Sequence, residues 1–360
     1  MTRPTKIIIN LAALQNNLQQ VRRMAPASSI IAMVKSNAYG HGIERIGRAL
    51  PDAEALGVAC CEEGLMLRAA GIKNPVVLME GLFTASELDK AIKNHFILVV
   101  HHSSQIEMLE KHSGQNAISV WIKIDTGMHR LGFKPEEALG IYQRLMNCDS
   151  VKKPLGLMTH FAESDSLERA PTLRQIEIFN HVTKDLPGPR SLANSAGVIA
   201  WPSAHAEWVR PGIMLYGASP FAGHRGVEHF LEPVMTLTSE LIAIHHLTKD
   251  SRVGYGGTWT CPEDMRVGVI GIGYGDGYPR HAQNGTPILV NARPCPLVGR
   301  VSMDMITVDL RTQPEAKIGD PVILWGAGLP VEVVAEYSNT TGYELLTRIT
   351  QRVHVEIMQF

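Results

Sequence analysis

Cysteine is scarce and oddly counted. Cys60, Cys61, Cys148, Cys261 and Cys295 make five, with no CxxC spacing among them. That excludes a disulfide framework and a cysteine-based zinc ribbon, and it points to a reducing compartment, the cytoplasm. A surplus of charge of one sign is missing too: 34 Lys and Arg against 35 Asp and Glu leave a formal net charge of −1. Without a basic stripe or an acidic tail, neither nucleic acid nor a membrane surface is an expected partner. No apolar run approaches the length of a membrane-spanning helix. The opening residues 1–10 hold no apolar core of signal-peptide length, in keeping with a cytoplasmic protein. His101-His102 and His245-His246 are adjacent pairs, which on strands point to opposite faces and chelate poorly, so no metal is expected.

What is present is an ordinary globular composition, 45% hydrophobic and 19% charged over 360 residues, enough for two domains. Asn10 can cap a helix whose apolar positions Leu11, Leu14, Leu18 and Val21 recur at helical spacing. From Ile30 onward, short apolar runs alternate with helical patterns. The runs cover 30–35, 56–60, 75–80, 96–101, 118–125, 155–161, 190–195 and 208–217. Helical candidates between them include 61–71, 85–94, 104–112, 135–147 and 173–185. Eight strands in this alternation predict an α/β fold, a (β/α)8 TIM-type barrel, over residues 1–230, although a doubly wound open sheet would alternate likewise. From 231 to 360 the texture changes. Strands are predicted at 236–246, 265–272, 287–290, 296–298, 306–310 and 321–325, with turns between them and short helices at 331–338 and 343–349. This reads as a separate β-rich C-terminal domain.

The run Ile30–Val34 reads as a buried strand that stops at Lys35. A lysine there is half desolvated, which disfavours its ammonium form and frees the amine for Schiff-base chemistry. By position alone, a surface lysine closing a strand is the plainer reading. In a parallel barrel, chemistry sits at the C-terminal strand ends. Here those ends carry Lys35, Glu80, His101, Asp125 with Arg130 shortly after, His160, and Asn194 with Ser195. Each alone is an ordinary polar strand cap; their convergence on one rim is the informative fact. Phosphate sites of such barrels usually form in the loops after strands seven and eight, here 194–197 and 210–213. Their small residues let backbone N–H groups approach an anion, though plain turns use the same residues. The string Gly271–Pro279 imitates a dinucleotide fingerprint but runs into Pro279 with no helix to follow, so it is not read as a nucleotide site.

The stretch Val34-Lys35-Ser36-Asn37-Ala38-Tyr39-Gly40-His41-Gly42 closely resembles the pyridoxal-phosphate lysine motif of bacterial alanine racemases. Residues 123–132, 159–161, 209–213, 253–257, 273–280, 299–305 and 343–348 resemble further signatures of that family, in its order and across both domains. The resemblance implies a barrel followed by a β domain, working as a head-to-tail homodimer with shared active sites. Residues 231–360 of one subunit would supply Tyr255 to the partner's barrel. The implied activity is interconversion of L- and D-alanine, for peptidoglycan precursors or for alanine catabolism.

By that resemblance, Lys35 anchors pyridoxal 5'-phosphate and serves as one of two bases, with Tyr255 as the other on the opposite face of Cα. A free phenol has a pKa near 10, so Tyr255 needs cationic or hydrogen-bonding help, for which His160 is the candidate. Arg210 faces the pyridine nitrogen and cannot accept its proton, which shortens the life of the carbanion and favours reprotonation. Arg130 bridges the cofactor's phenolic oxygen and the substrate carboxylate. Lys123 matches a position carbamylated in many relatives. Tyr39, Ser195, Gly212, Ile213 and Tyr343 map to phosphate contacts, Met303 and Asp304 to the substrate carboxylate side, and Tyr274 to the entry. A mouth of Tyr343, Tyr274 and Met303 leaves room for a methyl side chain. Ser302 departs from the cysteine or alanine of many relatives.

Three rival readings stand beside this one. A non-enzymatic pyridoxal-phosphate carrier shares the barrel and its lysine but has no second domain. A decarboxylase of the same architecture would place an acid where Arg210 stands. A broad-specificity amino-acid racemase would show a wider substrate range.

Overall fold

The computed structural model describes residues 3–112, 116–166 and 168–358. The chain opens with strand β1 (Lys6–Asn10), which buries Ile7 and Ile9, and passes directly into the helix Leu11–Met24. The Asn10 side-chain oxygen accepts the Ala13 N–H at 3.1 Å, satisfying a donor that the first helical turn leaves open. Leu14, Leu18 and Val21 form the buried stripe that their spacing predicts.

Eight parallel strands then close into a barrel: β2 (Ser29–Met33), β3 (Ala55–Val58), β4 (Val76–Leu78), β5 (Phe96–Val100), β6 (Ile118–Lys123), β7 (Val151–Met158), β8 (Arg190–Ser191) and β9 (Trp208–Val209). β9 returns to β2 through Ser29–Trp208 and Ile30–Val209. Every residue of β3 and β4 is buried, as expected of strands covered on both faces, and this is why their sequences are continuous rather than alternating. Helices including Cys61–Ala69, Ser86–Lys93, Ser103–Glu110, Ala138–Met146 and Ala170–Thr183 form the outer layer. Inside, Trp121 meets Trp208 edge-on with centroids 6.1 Å apart. Trp121 also lies across Gly156, where a β-carbon would come within 2.6 Å of its ring. The predicted strand 208–217 is only two residues long, because Pro211 has no N–H for a ladder and residues Ile213–Tyr216 turn instead.

The β-rich unit is built on β10 (Met235–Leu247), β11 (Arg252–Val253), β12 (Trp259–Thr260), β13 (Met265–Ile270), β14 (Pro287–Val290), β15 (Arg293–Pro296), β16 (Ile306–Asp309), β17 (Pro321–Trp325) and β18 (His354–Met358). Its main sheet runs β15-β14-β17-β10-β1-β18, with β13 branching from β10 and β16 pairing with β13, and β11 pairs with β12 alone. β1 is antiparallel to β10 and parallel to β18. The division therefore differs from a single cut at residue 230. One unit holds the chain up to Asn17, Tyr216–Ser219 and everything from Gly223, and the other holds Leu18–Leu215 with Pro220–Ala222. The reason is local: the Ile-rich run at 7–9 needs a sheet neighbour on each side, and β10 and β18 provide them. The strand predicted at 296–298 ends at Pro296, and Leu297 makes only a single bridge to Val308. Short helices stand at Val331–Tyr337 and Gly342–Thr347. Among the described residues no helix is long and apolar enough to cross a membrane, and all five cysteines are free thiols.

Candidate active site

Lys35 follows β2 at its C-terminal end, where Met33 N–H bonds Pro211 O and Val34 N–H bonds Gly57 O. Burial, and next the charge of Arg130, draw its ammonium below the usual lysine range. The four residues after it, Ser36, Asn37, Ala38 and Tyr39, all sit in the left-handed region at φ between 52° and 54°. Each L-residue there costs roughly 1–2 kcal/mol, so a run of four persists only because its surroundings enforce it. Ser36 N–H donates to the Glu63 carboxylate at 2.7 Å, and Asn37 Oδ1 accepts the Ile43 N–H at 2.9 Å. The turn delivers Tyr39 to Gly212, where its hydroxyl occupies the space a β-carbon would need. Gly212 N–H donates to Ser195 Oγ at 2.8 Å, and Ile213 follows, fully buried. Tyr39, Ser195, Gly212 and Ile213 are thus brought together. Burial raises the Tyr39 phenol well above its usual pKa, so it stays a neutral hydroxyl.

Four cationic side chains, Arg210, Lys123, Arg130 and Lys35, gather around His160. Arg210 is 3% exposed. Its guanidinium donates to Ser191 Oγ at 2.6 Å, Thr159 O at 2.6 Å, Leu192 O at 3.2 Å and His160 Nδ1 at 3.4 Å. Every one of these acceptors is neutral. Burial lowers the Arg210 pKa to about 10, which still leaves it charged. His160 is held well below 6.5 by burial and then by Arg210, Lys123, Arg130 and Lys35. It is therefore neutral at pH 7, and the cationic help expected of it narrows to hydrogen bonding. Lys123, at the end of β6, is lowered to about 8 by burial and then by Arg210, Arg130 and Lys35. Arg130 itself is exposed. It is presented by a loop that folds around Asp125, whose Oδ1 accepts N–H groups from Gly127, Met128 and His129, each at 3.0 Å. Glu80 and His101, also at strand ends, pair with one another: the Glu80 carbonyl lies 3.0 Å from His101 Nε2, a structural contact.

In the β-rich unit, Tyr255 stands at the tip of the β11–β12 hairpin, 68% exposed, between Gly254 and Gly256 at φ 72° and 71°. Arg252 closes the tip, donating to Gly256 O and Gly257 O at 3.0 Å each. Val253, Cys261, Met265, Val267 and Val298 form a small separate core that roots the hairpin. Tyr274 and Met303 are brought side by side: Tyr274 N–H donates to Ser302 O at 3.0 Å and Gly275 N–H to Met303 O at 2.8 Å. Both side chains are exposed, as is that of Tyr343 on the helix Gly342–Thr347. The Asp304 carboxylate is engaged by Arg352 and Arg3, so only its backbone is left for a carboxylate ligand. Gly271–Pro279 forms a single turn, Tyr274–Asp276, and no helix follows it, as read from the sequence.

Sequence reasoning did not find Ser191, Thr159 and Leu192, which hold Arg210, because two of the three contacts are backbone carbonyls. Nor did it find Asp276 with Arg3 and Arg352. The only signal for that cluster was an acid inside a glycine-rich turn.

A closed parallel barrel that carries a desolvated strand-end lysine and a buried arginine, followed by a β-rich unit, defines the class of barrel enzymes that racemise amino acids. The alanine racemase N-terminal domain family model matches residues 9–220, and the alanine racemase C-terminal domain model matches residues 234–357. An alanine racemase of Coxiella burnetii is 51% identical over 350 residues, 96% of both chains. The biosynthetic alanine racemase of Escherichia coli is 51% identical over 348 residues, 96% of this chain and 97% of that one. The crystal structure of the biosynthetic alanine racemase of Pseudomonas aeruginosa superposes with a TM-score of 0.96 at 43% identity, covering 99% of this chain and 100% of that one. The chain belongs to the alanine racemase family.

Proposed function

We propose that the protein interconverts L- and D-alanine with two bases and pyridoxal 5'-phosphate. Arg210 carries the reading: a buried guanidinium whose partners are all neutral, in the same barrel mouth as the desolvated Lys35. When bound, the cofactor supplies an electron sink for the pair left on Cα once its proton is removed. Arg210 would face the ring nitrogen of the bound group and could not take up its proton, whereas a site built for decarboxylation would be expected to place an acid there. The residues fit the group. Gly212 offers Tyr39 a place that a β-carbon would fill, and four cationic side chains, Lys35, Lys123, Arg130 and Arg210, gathered around His160 suit an anionic ligand. Lys35 would hold it through the amine. Tyr39, Ser195, Gly212, Ile213 and Tyr343 would hold its phosphate, and His160 would steady Arg210.

Lys35 then moves the proton on one face of Cα and the Tyr255 phenol moves it on the other. Arg130 orients the substrate carboxylate, aided by the Met303–Asp304 backbone, while Tyr274 guards the entry. The exposure of Tyr255 on its own chain supports its delivery to a second subunit, in a cytoplasmic homodimer with shared sites. Lys123, with a pKa of about 8, has enough free amine near neutral pH to take up carbon dioxide. The carbamate would place an anion among three cations and orient Arg130.

The test is a chiral assay of the purified, cofactor-loaded protein against a panel of L-amino acids. Turnover of alanine far above serine and larger residues is expected. Equal turnover across the panel would replace this reading with a broad-specificity racemase, and no turnover would leave a carrier.

A further inference from the structure

We infer that Arg352, gripped between Asp276 and Asp304, is a positioning residue that sets the substrate-carboxylate side of the site; the inference rests on the racemase reading above. Asp276 closes the turn Tyr274–Asp276 and is wholly buried. One of its carboxylate oxygens accepts the Gly273 N–H at 2.9 Å. Two arginines meet its charge, Arg352 Nε at 2.8 Å and Arg3 Nη2 at 2.9 Å. Both arginines also reach Asp304. Arg352 does so through Nη2, and Arg3 through Nη1 at 3.5 Å. Each guanidinium therefore spans from the turn that carries Tyr274 to the loop that carries Met303 and Asp304.

The backbones around this bridge are laced together independently of it. Tyr274 and Gly275 donate to Ser302 O and Met303 O, Thr350 Oγ1 donates to Gly275 O at 2.9 Å, and Thr350 N–H donates to Asp276 O at 3.2 Å. Gly275 records how closely Arg352 packs: a β-carbon there would lie 2.9 Å from Arg352 Nη1 and 3.0 Å from Met303 O. A buried carboxylate with two cations on it is costly to break, because removing a partner strands the charge. This makes Asp276 the fixed end of the device and Asp304, half in solvent, the end being steered.

The chemical consequence concerns like charges. A substrate carboxylate approaching Met303 and Asp304 would be repelled by a free aspartate. Arg352 turns that aspartate aside and neutralises it, leaving the backbone N–H groups of the loop to receive the substrate. The job needs a planar fork, since one guanidinium must serve two carboxylates from adjacent nitrogens. A lysine supplies the charge at one point only.

The experiment uses the cofactor-loaded enzyme, alanine in both directions, and propionate as a probe that has the carboxylate without the amine. In Arg352→Lys, KM for both enantiomers and the propionate inhibition constant should rise together by about tenfold, with kcat within about twofold. Adding Asp304→Asn to that variant should recover part of the propionate affinity, because the misplaced negative charge is gone. A merely structural arginine would lower kcat and leave propionate binding unchanged, and that result would overturn the inference. If Arg352→Lys does not fold, Asp304→Asn alone serves: it removes the aspartate charge and leaves the Arg352 guanidinium facing the carboxylate side uncompensated, so the propionate constant should fall by about threefold, and no change would overturn the inference. The wild-type assay separates the two failures. Absent alanine turnover there removes the racemase reading and this inference with it, whereas normal turnover with an unmoved variant-to-wild-type ratio removes this inference alone.

Discussion

Arg210 and His160 share a hydrogen bond of 3.4 Å in which the guanidinium is the donor and Nδ1 the acceptor. The imidazole can accept only while that nitrogen carries no proton, so a buried cation fixes its neighbour as a neutral base. His41, wholly buried beneath the left-handed turn, is likewise held down, to about 4, chiefly by burial.

The first prediction is one of pH. Both imidazoles have folded pKa values below the ordinary 6.5, so the unfolded chain takes up protons first as pH falls. Stability present at neutral pH should therefore decline below 6.5, by about 1.4 kcal/mol per pH unit for each histidine. For His41 the decline should end near pH 4, where the folded form protonates as well. Thermal unfolding across this window should show a shallower pH slope in His160→Gln than in the wild type. An unchanged slope would mean that His160 is not buried neutral.

Gly212→Ala tests the phosphate cradle. The new methyl would collide with the Tyr39 hydroxyl, which has no slack because the left-handed run fixes its backbone. Relieving the clash should cost about 1–3 kcal/mol, so cofactor affinity should fall by tenfold or more. Equilibrium dialysis against pyridoxal phosphate measures it, and wild-type retention would disprove the assigned contact.

Much of this site is legible in the sequence, and unevenly so. Lys35, Asp125, His160 and Ser195 stood out because a parallel barrel sends its strand ends to one rim, and the strand ends were readable from apolar runs. The left-handed turn was not readable. Nothing in Ser36-Asn37-Ala38-Tyr39 announces four positive φ values, since three of the four residues disfavour them and the conformation is imposed by Glu63, Ile43 and Gly212 from elsewhere. The sequence does not announce the place of β1, for a related reason. Lys6-Ile7-Ile8-Ile9-Asn10 specifies a strand but not its sheet, and its partners begin at Met235 and His354. Asp304 reads from the resemblance as part of the substrate-carboxylate side, and its side chain answers to arginines remote in sequence, which no local pattern announces.

Arg210→Glu should reverse the electronic setting of the site. A carboxylate opposite the cofactor's ring nitrogen would let that atom keep a proton and so lengthen the life of the negative charge on Cα. Racemisation should fall by about 10²-fold or more, with amino-group transfer to the cofactor appearing as a slow side reaction. Absorbance spectra and product chromatography follow both. A variant with wild-type rates and no side product would show that Arg210 only supports the fold.

Lys35→Ala and Tyr255→Phe test the division of labour between subunits. Each homodimer should be nearly inactive in both directions. Mixed and allowed to exchange, they should form heterodimers with one doubly defective site and one intact site, restoring up to about half of wild-type activity per heterodimer. Persistent inactivity in a verified heterodimer would refute the shared site.

The pairing of β1 with β18, Lys6 opposite His354 and Asn10 opposite Met358, also governs how the chain comes into being. During synthesis β1 emerges first and must wait for nearly the whole chain before its parallel partner exists. All eight barrel strands, from Ser29 to Val209, are made in the interval, and their neighbours are mostly close in sequence. Non-local pairing is slow because loop-closure entropy is lost before any contact compensates for it. The barrel should thus condense early, and the first and last strands should lock late as a seam between the two ends of the chain. Removing residues 354–358 would leave one edge of β1 unpaired, and the resulting chain should keep its barrel while exposing a strand edge ready to recruit another copy.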